Sequence, residues 1–223
     1  MKVFTLIVLF TSSVYAGLSV DSKHEWKKFD VVDDVTLMRA EVPGKDVVAF
    51  RGETIIDAPI ERLISAFGDQ ERKPEWMHDL IKVVTVQKFS KTKQIEYYHS
   101  AAPWPLDERD FLYMAEFDYF PKEKTFVLNL QNATHKDYPK KKGIVRAMLH
   151  ESNYFISKTN DPNKTKIAAE ILFDPMGAVP KWIVNFVQKA WPVNTLNGLR
   201  KIMKDETFKT NNQVIKFIQQ KER

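Results

Sequence analysis

Cysteine is absent from the 223-residue sequence. No disulfide, thiolate metal site or lipid-modified cysteine is available, so the chain must be held together by packing. Glycine is scarce, with seven in all, and none approaches the GxGxxG or GxxxxGK spacing that cradles a dinucleotide or a nucleotide phosphate. The five histidines stand singly, without the paired spacing or second ligand type that a metal needs. There is no GxSxG nucleophile elbow. A Ser/His/Asp set assembled from distant positions stays open, because such sets are recognised by geometry, and His99 and His150 are its first candidates. Beyond the first residues no apolar run is long enough to span a bilayer, and no repeat or low-complexity linker divides the chain. One domain is the economical expectation.

What is present is apolar bulk, 43% hydrophobic and 12% aromatic residues, enough for a sizeable core. The chain opens MKVFTLIVLFTSSVYAGLSV. Lys2, the apolar run Val3 to Phe10 and the small-x-small end at Ala16 read as a signal peptide over residues 1–16, cleaved after Ala16. The expected location is therefore periplasmic or secreted, and a disulfide-free chain of this size suits a periplasm. Without Lys2 the chain carries 33 basic against 29 acidic residues, a mild +4. The lysines are spread out, so no nucleic-acid partner is expected. The densest run, HKDYPKKKG, reads as a solvated turn rather than a patch for anionic lipid or nucleic acid.

Ser19 to Phe29 suggests a short amphipathic helix, and VTLMRAEV with DVVAFRGETII suggests a hairpin turning at Gly44. Asp57-Ala58-Pro59 looks like the start of a helix that ends at Gly68. From Leu80 to Asp174 alternating runs separated by turn signals predict an antiparallel meander, with GIVRAMLHESNYFIS as one strand. The stretch after Pro180 has helical apolar spacing, and residues 205–223 form a polar tail or helix extension. The fold class expected is α+β, a curved antiparallel sheet around a long C-terminal helix.

In RDFLYMAEF the odd positions Arg109, Phe111, Tyr113 and Phe117 share one face, and the acidic even set argues that the other face is wetter. Arg109 then points inward and needs a partner, either a carboxylate of the protein or the anionic or polar head of a bound amphiphile.

Three stretches resemble the StAR-related lipid transfer (START) domain family: Pro105 with Arg109-Asp110-Phe111; Val145-Arg146-Ala147; and Asp174-Pro175, Gly177, Pro180, Trp182 and Asn185. The resemblance covers most of residues 20–203 and gives domain bounds of 17–204. It implies a helix-grip fold, with the sheet and C-terminal helix enclosing one hydrophobic cavity. The partner implied is a lipid or other hydrophobic small molecule, such as a phospholipid, fatty acid or sterol, bound and transferred by a monomer in transient contact with a membrane surface. The signal peptide departs from the family's best-known cytosolic and organellar members. Candidate wall residues are Phe111, Tyr113 and Phe117 from the strand, Ile167, Ala169 and Ile171 from the penultimate element, and Ile183, Phe186, Val187 and Ala190 from the helix. Arg109 faces the same interior, and Trp104 is expected at the mouth. No cofactor, metal or catalytic residue is expected. The alternative is a helix-grip enzyme, cyclase or hydrolase, using Arg109, Glu96 and His99; a weaker one is a lipid-reporting module with the tail as its contact.

Overall fold

The computed structural model describes residues 18–45, 47–177, 179 and 181–223, the side chains of 181–188 excepted. The expected signal peptide lies outside the described residues. β1 (Lys27–Val32), β2 (Val35–Glu41) and β3 (Val48–Ile56) form a meander that includes the expected hairpin. α1 (Ile60–Gly68) and a single 3₁₀ turn at Lys73–Glu75 then cross to β4 (Leu80–Lys88). β5 (Lys93–Ser100), β6 (Glu108–Phe120), β7 (Thr125–Asn132), β8 (Ile144–Arg146), β9 (Met148–Lys158) and β10 (Thr165–Asp174) follow, then α2 (Lys181–Met203) and α3 (Asn212–Lys221). The strands make one sheet in the order β1-β2-β3-β10-β9-β7-β6-β5-β4, with β8 beside β6.

Three local expectations need correction. Residues 19–26 are not helical: Ser19 Oγ accepts from the Asp21 amide and Ser22 Oγ from the Trp26 indole at 2.6 Å, local bonds that compete with a helix. GIVRAMLHESNYFIS is two strands, not one, and β8 runs parallel to β6. The break falls at the buried Ala147, whose amide donates to Asp110 O at 3.0 Å. Asp110, assigned to the wetter face, is 0% exposed. Arg146 neutralises it, Nε donating to Oδ1 at 2.5 Å and Nη2 to Oδ2 at 3.0 Å. Leu112 lies on the same face with Ile95 and Tyr97 in a small outer core.

Strand register arranges the inner face in rows. Ile167, Ile156, Phe126 and Tyr119 make one row across β10, β9, β7 and β6. Ala169, Tyr154, Leu128 and Phe117 make the next, and Ile171, Ser152, Leu130 and Ala115 the third. The first row is filled by Leu63 and Phe67 of α1, by Trp76, and by Leu196, Leu199 and Ile202 of α2. Two close approaches seat α2. A Cβ at Gly52 would lie 2.7 Å from Pro192 Cβ, and one at Gly198 would lie 1.9 Å from the Trp76 carbonyl oxygen.

Residues 205–223 turn back as a docked element. Arg62 donates to the carbonyls of Met203 (3.3 Å), Phe208 (2.6 Å) and Asp205 (2.7 Å), satisfying acceptors that a helix end leaves open. Asn211 caps α3 through the Gln213 amide, and α3 lays Phe217 on the Phe117 ring at 5.8 Å between centroids.

Candidate functional site

Towards the third row the filling stops. A cavity of about 150 Å³ lies there against the inner face of the sheet. Register again sets its walls: on β5 and β6, Tyr98 stands opposite Phe111 and Ser100 opposite Arg109, and all four side chains line the space. Leu130, Leu149 and Tyr154 supply the back, Ile171 and Phe173 one side, and Trp191 of α2 the cover. The mouth is framed by Pro103 and Leu106 on one segment and by Pro175 and Val179 on the other.

Polar groups are few. Tyr113 donates its hydroxyl to Glu96 Oε2 at 2.7 Å, and burial with this carboxylate pushes its pKa well up, so it stays a neutral donor. Glu96 also accepts from Gln70 and Gln94 and lies 3.6 Å from Lys73 Nζ, so it is satisfied within the protein. Arg109 is the opposite case. It is 7% exposed, its Nη1 donates to the Asp107 carbonyl, and its Nε is buried with no partner. Burial lowers its pKa, with the charge of Asp107 acting the other way. Among the described residues no carboxylate pairs with it, so the protein-carboxylate partner considered from the sequence is not there. The neighbouring acids are engaged elsewhere: Glu108 lies 2.7 Å from His99 Nε2 and Asp79 lies 3.3 Å from His78 Nε2.

A family model for the START domain matches residues 18–209. The chain belongs to the START domain family. Human START domain-containing protein 10 is 28% identical over 129 residues, covering 58% of this chain and 43% of that protein, so the chain spans less than half the length of that relative. Rat phosphatidylcholine transfer protein is 21% identical over 185 residues, 81% of each chain. Among solved structures, human StAR-related lipid transfer protein 5 superposes with a TM-score of 0.76 at 18% identity, over 82% of this chain and 88% of that one. That likeness shows the helix-grip fold of a START domain.

In this START domain Arg109, Phe111, Tyr113 and Ile171 come together at the cavity. Ile167 and Ala169, both 0% exposed, sit instead in the packed rows, and Phe117 lies under α3. The reason is position along the strand, since all three share the cavity's face but lie beyond its end. Ala190 is half-buried beside Trp191, which takes the covering place. The side chains of Ile183, Phe186 and Val187 lie outside the described residues. Trp104, expected at the mouth, is 89% exposed and projects from the rim segment between Pro103 and Leu106. Of the alternative trio, His99 pairs with Asp110 in register and so faces away from Arg109 and Glu96. Tyr98, Leu130, Leu149, Ser152, Tyr154 and Phe173 went unpredicted. Tyr98 had a signal, since it shares the parity of Glu96 and Ser100 in an adjacent hairpin strand.

Proposed function

We propose that this START domain holds one lipid or other hydrophobic small molecule in the cavity and releases it, chemically unchanged, at a membrane surface. The observation that carries the reading is the unfilled, aromatic and aliphatic end of the inner face. A relative named for phosphatidylcholine transfer, aligned along 81% of this chain, supports lipid as the ligand class. Each methylene moved from water into such walls contributes about 0.8 kcal/mol, so affinity needs no catalysis and no cofactor. The cavity of about 150 Å³ is small beside the roughly 300–1,000 Å³ of typical ligand pockets. An apolar cavity of that size admits a group of about benzene's dimensions, so a lipid tail requires the segments 101–107 and 175–179 to part. Membrane contact is assigned to the rim at Trp104, with Met176, 37% exposed, across the mouth. The pattern of residues 1–16, Lys2 followed by an apolar run and a small-x-small end, further supports export to a periplasm or beyond, which predicts an intact mass beginning at Gly17 in protein taken from its host.

A fluorescent fatty acid titrated into the purified protein tests the reading. Saturation at one molecule per chain is expected, with loss of uptake in Leu130→Trp, which fills the cavity from β7. No uptake by the wild type, or undiminished uptake by a folded Leu130→Trp variant, contradicts it.

A further inference from the structure

Three half-buried arginines among the described residues are fully engaged. Arg146 holds both oxygens of Asp110, Arg51 pairs with Glu170 and Glu53, and Arg62 closes three carbonyls. Arg109 has one backbone carbonyl and a buried, orphaned Nε, in a wall of the cavity just inside Pro103 and Leu106. A buried guanidinium without a counter-charge is among the most costly arrangements a protein core can hold. Among the described residues no acid of a neighbouring segment pairs with it: Asp107 gives its carbonyl as a hydrogen-bond acceptor and its carboxylate acts only through its charge, outside ion-pair distance, while Glu108 turns to His99, Asp79 to His78, and Glu96 to Tyr113 and Lys73. Ser100, opposite Arg109, adds a hydroxyl beside the same space. A planar fork of donors in a dry wall matches a carboxylate or phosphate ester, which it binds through paired, charge-assisted hydrogen bonds.

We infer that the ligand of this cavity carries an anionic oxygen head that pairs with Arg109 inside the mouth, its apolar tail running towards Leu130, Leu149 and Tyr154. This rests on the lipid-binding reading above and names the ligand class within it. A positively charged head is disfavoured at the same position, and a neutral alcohol gains only a fraction of the interaction.

Titration calorimetry with three chain-matched ligands, decanoate, decyl phosphate and decanol, tests the inference on the full chain. At least one anion is expected to bind the wild type about ten-fold more tightly than decanol, and the tighter of the two identifies carboxylate or phosphate as the head. In Arg109→Met that preference falls to about two-fold or less, while Arg109→Lys restores part of it. Decanol binding the wild type as tightly as both anions overturns the inference and leaves the lipid-binding reading standing. An unchanged preference in folded Arg109→Met also overturns it. Failure of all three ligands to bind overturns both. Should Arg109→Met not fold, the wild-type series alone decides.

Discussion

Arg109 and Asp110 are neighbours in sequence with opposite partners, because successive side chains of a strand leave on opposite faces. Asp110 is locked to Arg146 on the outer face, whereas Arg109 faces the cavity without a carboxylate. Removing one partner of a buried pair leaves an uncompensated charge, so Asp110→Ala is expected to cost about 3–5 kcal/mol in urea unfolding. Arg109→Met removes a charge that the protein leaves unpaired and is expected to cost nothing or to stabilise. A comparable loss from both variants would show that Arg109 is structural. The inward direction of Arg109 was legible from alternation alone. The burial of Asp110 was not, because its partner enters 36 positions later, on a strand too short and too parallel for the pattern to announce.

Elements with strict alternation and clear turns, β2 to β7 and β10, could be read from the sequence because one face of each is apolar. α3 was not legible as a docked element, since Phe217 and Ile218 become an apolar face only once Phe117 is placed beneath them. Alternation also names the face a side chain points to without saying how far along it lies. Phe117, Ile167 and Ala169 therefore read like Phe111 and Ile171, yet belong to the packed end of the sheet. The rim segment 101–107 is governed by other physics. An 89% exposed tryptophan beside a cavity mouth has its apolar ring in water and gains by entering a lipid interface. Trp104→Ser is expected to weaken vesicle binding about ten-fold while leaving fatty-acid affinity in solution unchanged. Unaltered vesicle sedimentation would remove the rim from the membrane contact.

At the scale of the molecule, the proposed binding role rests on the division of one sheet face into a filled and an unfilled end. Trp76, α1 and the later turns of α2 close one end, with Gly198 against the Trp76 backbone and Pro192 against Gly52 fixing the depth of the helix. The other end is covered by Trp191 and the segments about Pro103 and Pro175. No sequence pattern reports that difference, because a cavity is the remainder after many volumes are summed. The central claim is that this remainder is occupied by a lipid in the cell. Native mass spectrometry of the protein purified from its own host measures it most directly. The account predicts one bound amphiphile per chain, detected as an acidic species when released. Recovery of ligand-free protein alone, even after incubation with host lipid extract, would contradict it.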